Sequence, residues 1–217
     1  GGSMGSILGL PRFDTAEFEA RFPFGKVSLT DKEMPVRVTV LGWSPFIPGD
    51  PDNSSLPVGG LEYVLENTST KPQEMIFSYH ARNFLSWGKG VDAIKVMPHG
   101  FVLSQAGTEA EPHLQGDFAI FTDEDSPKIN YCWFRGGWFD SLTMVWNAIE
   151  SGLMPQSPAV EKGAPGASIF IPVTLMPGDK KTIRIYTAWY VPCSTLRIGE
   201  EPEDWNDNLS LIHISEP

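Results

Sequence analysis

VRVTVLGWSPFIPGDPDNSSLPVGGLEYVLEN, residues 36–67, is the stretch that decides the fold class. Val36, Val38 and Val40 alternate with Arg37 and Thr39, which is the period of a strand with one face buried and one in water. Pro45, Pro48, Gly49, Asp50, Pro51, Asp52 and Asn53 then make a loop of turn formers. An apolar-rich strand follows from Leu61 to Glu66 and stops at a second turn, Asn67-Thr68-Ser69. Phe46 and Ile47 lie inside the proline-rich loop, where a merely solvated connection has no use for them. Some neighbouring element is expected to receive them.

The same alternation recurs outward from this stretch. It marks Phe18 to Phe22, Lys26 to Leu29, Met75 to Tyr79, Gly100 to Leu103, Phe118 to Phe121, Ser168 to Val173 and Thr182 to Trp189. Nineteen prolines and 21 glycines cut the chain into segments too short for many helices. Only Leu142 to Ser151 reads as helical, and Leu142 to Trp146 could equally be a strand. The expected class is therefore all-β, a large antiparallel β-sandwich (or a barrel) with few or no helices. Leu61 to Glu66 with Glu74 to Tyr79 reads as one hairpin. Ser168 to Leu175 with Lys181 to Tyr190 reads as another, closed by a type II turn at Pro177-Gly178. Asn53-Ser54-Ser55 and Asn67-Thr68-Ser69 also fit the N-glycosylation pattern, although turn chemistry accounts for both.

Composition narrows the function. The chain has 217 residues, 41% hydrophobic and 20% charged, which is globular and of a size for one domain. Its formal net charge of −11 and lack of any basic run argue against nucleic acid as a partner. No apolar run reaches the ~20 residues of a membrane-spanning helix. No signal peptide opens the sequence, but a start of Gly1-Gly2-Ser3 leaves the compartment open. Two cysteines, Cys132 and Cys193, are too few for a disulfide framework or a zinc site and are expected to be buried or half-buried thiols. The four histidines lack metal-binding spacing, so neither metal nor cofactor is expected.

Sugar cleavage needs two carboxylates at a set separation, and no acidic residue here sits in an apolar setting that would mark it as an acid catalyst. Asp123-Glu124-Asp125 reads as a solvated hairpin loop. Glu17 and Glu19 read as the wet face of a strand. The nucleophile elbow, the phosphate loop and the dinucleotide fingerprint are all missing. The stretch Tyr131-Cys132-Trp133-Phe134-Arg135-Gly136-Gly137-Trp138-Phe139-Asp140 stands out, with five aromatics in nine residues around a Gly-Gly. Its aromatics are either core on both sides of a turn, or a loop on which Trp138 and Phe139 meet another domain or a sugar. Trp133, Arg135, Trp138, Phe139 and Asp140 are the candidate interface or sugar-proximal residues.

Residues 10–69, with the Phe-Glu-Ala-Arg-Phe-Pro-Phe block at 18–24 and the blocks Ser-Pro-Phe-Ile-Pro and Asn-Ser-Ser-Leu-Pro-Val between 44 and 58, resemble the N-terminal domain of glycoside hydrolase family 116. GDFAIFTD, CWFRGGWFD and PGASIFIPVTLMPGDKKTIRIYTAWYVP continue the likeness, which runs from about residue 9 to 200. That family contains β-glucosidases, the non-lysosomal glucosylceramidase among them. The resemblance implies the N-terminal β-sandwich of a two-domain retaining glycosidase of carbohydrate metabolism, packed on a C-terminal (α/α)6 barrel that holds both catalytic carboxylates. No catalytic residue carries over to this chain, which by this reading is inactive alone and meets β-glucosides only through that barrel.

The organisation this implies is a partial start over 1–8, a sandwich over 9–203, and a linker with a non-native tail over 204–217. A free-standing carbohydrate-binding sandwich is the alternative, and a structural sandwich of an unrelated secreted protein is a third reading. In a packed sandwich, the loop at 44–55 would be pinned by burial of Phe46 and Ile47, worth roughly 3–6 kcal/mol.

Overall fold

The computed structural model describes residues 11–86, 91–137 and 139–193. The expectations for 1–8, 204–217 and Trp138 fall outside these residues. The fold is an all-β antiparallel sandwich with little helix. Strands β1 (Thr15–Arg21), β2 (Phe24–Thr30), β3 (Val36–Trp43), β4 (Val58–Asn67), β6 (Asp92–Met97), β7 (Gly100–Gln105), β8 (Gly116–Thr122) and β11 (Lys180–Tyr190) form an eight-stranded sheet. Its order is β1-β2-β3-β4-β11-β8-β7-β6. Strands β5 (Gln73–Arg82), β9 (Lys128–Asn130) and β10 (Gly166–Leu175) form a three-stranded sheet, ordered β5-β10-β9.

The core lies between the sheets, as the period-two pattern requires. Val38, Leu65, Phe101, Leu103, Ile120, Ile183 and Ile185 point inward from the large sheet, against Ile169, Ile171, Val173 and Leu175 of β10. Tyr63 and Phe77 meet across the gap with ring centroids 4.9 Å apart.

Both expected hairpins are instead arches from one sheet to the other. β4 pairs with β11, Lys180 opposite Glu66, while β5 pairs with β10, Leu175 opposite Gln73. Alternation shows which residues face the core but not whether the next strand is a lateral neighbour or lies across the core. Pro177-Gly178 does make the expected turn: Asp179 N–H donates to Met176 O at 3.0 Å and Gly178 has φ of 80°. Asp123-Glu124-Asp125 is likewise an arch, from β8 to β9, and Glu124 and Asp123 pair with Lys181 and Arg184.

Asn67, 1% exposed, ties two arches together. Its Nδ2 donates to Lys71 O at 2.8 Å and Leu175 O at 3.0 Å, and its Oδ1 accepts from Ser69 N at 2.9 Å. Asn53, in contrast, lies exposed in the four-residue helix α1 (Pro51–Ser54).

The small sheet is too narrow to cover the large one. All seven residues of β1 are therefore exposed, Phe18 as well as Glu17 and Glu19. Phe46 and Ile47, at 47% and 50% exposure, are not buried as expected. Phe46 packs edge-on against Phe22, itself 78% exposed, at 4.8 Å. Polar side chains hold the loop instead. Asp50 caps α1 by accepting from Asn53 N at 3.0 Å, and Ile47 N donates to Ser54 Oγ at 2.9 Å. The hydrogen bonds from the Asn53 side chain and backbone lower the Asp50 pKa.

Between β9 and β10 the chain leaves the sandwich and builds a third layer outside the small sheet. It carries helix α2 (Ser141–Glu150), which settles the helix-or-strand ambiguity at Leu142 to Trp146. Ile149 and Glu150 of α2 line a groove with Ile76 of β5 and Pro172 of β10.

Candidate functional site

The segment 131–140 starts where β9 ends and delivers the chain to α2. Trp133 is drawn inward. Its N–H donates to Gly166 O at 3.1 Å, and the side chain, 2% exposed, donates from Nε1 to Ser168 Oγ at 2.7 Å. Gly166 lets the indole approach, because a Cβ there would lie 2.6 Å from the ring. Of the candidate residues, Trp133 is therefore a core side chain, sharing a cavity wall with buried Val145 of α2.

Ser168 connects that core to His80. The two face each other across β10 and β5, with Ser168 Oγ 2.7 Å from His80 Nδ1, and His80 Nε2 lies 2.9 Å from Ser78 Oγ. Trp133 can only donate, so it uses one lone pair of Ser168. The Ser168 proton then goes to Nδ1, and Nε2–H donates to Ser78. Burial drives the His80 pKa down to about 4, so the ring is neutral at pH 7. A Ser–His pair raises the question of nucleophilic catalysis. Ser168 is 0% exposed and already bonded to the indole, so no substrate reaches it. The chain Trp133–Ser168–His80–Ser78 is a structural network.

Asp140 caps α2. Burial alone would raise its carboxyl, but the Thr143 backbone and hydroxyl, the Leu142 backbone and Arg82 together bring it below the usual range. Its Oδ2 accepts from Thr143 N at 2.9 Å, and Oδ1 lies 3.6 Å from Arg82. Asp50 and Asp140 thus both shift downward as helix caps, opposite to what a general acid needs. Glu74 and Glu150 line the groove below α2, and both are exposed.

Phe134, Arg135 and Phe139 remain outside, Phe139 at 65% exposure. The structure thus separates the candidates: Trp133 is core, Asp140 is a cap, and Arg135 and Phe139 form an exposed rim. Gly136 sits under the Phe134 ring, where a Cβ would collide with it.

Behind the rim is an open cavity of about 480 Å³, lined by Asn130, residues 132–135, Met144, Val145 and Ala148 of α2, and Pro155, Ser157, Pro158 and Val160. Cys132 lines it as a buried thiol whose pKa is raised by burial, against a smaller opposing effect of Arg135. Its Sγ lies 3.3 Å from Trp133 O. Cys193 is half-buried, and neither cysteine is in a disulfide. Among the described residues no group of three His, Cys, Asp or Glu could hold a metal ion.

Sequence reasoning missed this cavity because its walls come from three separate segments. It also missed an aromatic trio at the end of β8 and β11, where Phe84, Phe118 and Trp189 pack edge to face at 5.0–6.3 Å. Exposed Phe18, Phe22 and Phe24 make a further apolar surface at the β1–β2 edge.

Residues 6–208 match the family model described as beta-glucosidase 2, glycosyl-hydrolase family 116 N-term. No curated protein matches the chain. Among solved structures, a protein assigned as a kojibiose phosphorylase from the human microbiome is similar at 13% identity and a TM-score of 0.42, over 76% of this chain and 17% of that one. A TPR-domain containing protein from Parabacteroides distasonis is similar at 12% identity and a TM-score of 0.37, over 88% of this chain and 38% of that one. The chain thus spans well under half the length of either.

Proposed function

The chain belongs to the glycosyl-hydrolase family 116 N-terminal domain family, and from that membership we propose that it is the non-catalytic sandwich of a retaining β-glucosidase. Its partner in this reading is a C-terminal (α/α)6 catalytic domain of the same polypeptide. In this reading the sandwich domain is assigned to residues 9–203. The parent acts on β-glucosides, and this half meets them only through that domain. No helix among the described residues is long and apolar enough to cross a membrane.

The observation that carries the proposal is the family match over residues 6–208, and the exposed aromatic side chains agree with it. Phe139 at the 131–140 rim is one of many large apolar side chains in water. Ordinary monomers seldom expose contiguous apolar patches beyond a few hundred Å², whereas interfaces between domains of one chain bury about 600–1,500 Å².

The test has two arms. The isolated chain should release no nitrophenol from a nitrophenyl β-glucoside. Turnover that disappears on mutating an acidic residue between 11 and 193 would overturn the assignment. In the full-length enzyme, Trp138→Ser with Phe139→Ser should lower activity and loosen domain association. Unchanged activity would remove the rim from the interface. Saturable quenching of tryptophan fluorescence by methyl β-glucoside would favour a free-standing carbohydrate-binding module instead.

A further inference from the structure

We propose that the cavity between the 131–135 segment and α2 binds a small apolar carboxylate. Its volume, about 480 Å³, falls within the roughly 300–1,000 Å³ of small-molecule pockets. Trp133, Phe134, Met144, Val145 and Ala148 give it apolar walls.

Two donor side chains line this space without an anionic partner. Asn130, 3% exposed, lines the cavity. Its Oδ1 accepts from Cys132 N at 3.3 Å and from Ser157 N at 3.2 Å, which fixes the orientation of the amide. Nδ2 keeps both protons, and among the described residues it finds no acceptor. A buried donor left unpaired is costly, so the site favours a molecule that brings an acceptor.

Arg135 is the second donor. Its guanidinium makes one long bond, 3.5 Å to Lys162 O, and no ion pair with a carboxylate of the described residues. In a chain of net charge −11, an arginine unpaired beside an apolar cavity selects an anion. One carboxylate oxygen accepts from Asn130 Nδ2 and the other from Arg135, while the apolar body lies along Trp133 and α2. A sugar fits less well. Its ring of hydroxyls needs many partners, and the polar side chains on offer are Asn130, Arg135 and Ser157.

The inference needs no catalytic domain, so it stands or falls separately from the assignment above. The test is titration of the 217-residue chain with octanoate, followed by calorimetry and by tryptophan fluorescence, since Trp133 lines the cavity. Binding should saturate at one site. Arg135→Gln, a change on an exposed side chain, should weaken octanoate at least tenfold and leave 1-octanol unaffected. Ala148→Phe should fill the cavity and abolish binding of both, with circular dichroism confirming that each variant is folded. Absence of saturable octanoate binding would overturn the proposal, as would binding that survives both substitutions. Equal affinity for octanol and octanoate in the wild type would overturn the carboxylate assignment. Methyl β-glucoside binding that Ala148→Phe abolishes, with octanoate silent, would make this a sugar site instead.

Discussion

Acid should destabilise this sandwich through His80, and His80→Gln should remove that part of the effect. The ring is held between Trp133, Phe170, Ser78 and Ser168, all uncharged, with its centroid 5.7 Å from that of Phe170. Burial moves its pKa from 6.5 down to about 4. A base with a lower pKa folded than unfolded binds fewer protons in the native state, so stability rises with pH across that interval. The contribution is complete above 6.5 and is lost as pH falls from 6.5 through 4. At 1.36 kcal/mol per unit the full loss is about 3 kcal/mol, roughly three quarters of which is gone by about pH 4.5. Urea unfolding of the wild type and of His80→Gln at about pH 7 and pH 4.5 measures it. Carboxylates titrate in both proteins, so the difference between the two pH-dependent losses isolates the imidazole. The glutamine side chain can still reach the serine hydroxyls without taking up a proton. Equal acid sensitivity in the two proteins would refute the reasoning, because it would mean that His80 is protonated as readily folded as unfolded.

Two further perturbations follow from the core. Burial, with Tyr79 adding to it, pushes the Tyr63 hydroxyl up to about 12 from 10.0, so its contribution is present below pH 10 and lost as pH rises towards 12. Tyr63→Phe should flatten the fall of melting temperature above pH 10, and an unchanged alkaline slope would count against it. Asn67→Ala strips partners from Leu175 O, Lys71 O and Ser69 N at the two arches and should cost roughly 2–4 kcal/mol in urea unfolding with an unchanged m-value. Asn67→Asp, which keeps the acceptor but buries a charge, should cost more than Ala, and a loss under about 1 kcal/mol for Ala would show that the arches do not depend on this amide.

Much of the fold can be read from alternation, and the limits of that reading have a physical cause. Val36 and Val38 of β3 and Ile183 and Ile185 of β11 are buried as the alternation indicates, while Val40 and Thr187 are half-buried and Trp189 is exposed at the strand end. β6 and β9 escaped notice because Asp92–Met97 buries only Ile94 and Lys128–Asn130 is three residues long. Pairing was misread for a different reason. A strand that returns beside its predecessor and one that returns across the core carry the same inward periodicity, and the turn chemistry at Pro177-Gly178 suits both. What separates them is the pairing of β4 with β11 and of β5 with β10, which brings together residues 84 to 130 positions apart, as Arg82 with Gly166 or Val58 with Ala188. Local propensity does not contain that information.

The same distinction governs the 131–140 stretch. Its aromatic density showed that something is packed or docked there, yet composition could not divide Trp133 from Phe139. The division follows from where one indole N–H finds an acceptor. Ser168, 35 residues away in sequence, supplies it, and Trp133 goes inward. Asp140 is claimed by the start of α2, which leaves Phe139 before the cap and in water. The exposed rim is thus what remains once the network and the helix have taken their residues. An aromatic left in water by a fold that satisfies its neighbours is better evidence of an outside contact than aromatic density alone, and Phe139 is the residue on which an interface at this loop should be tested first.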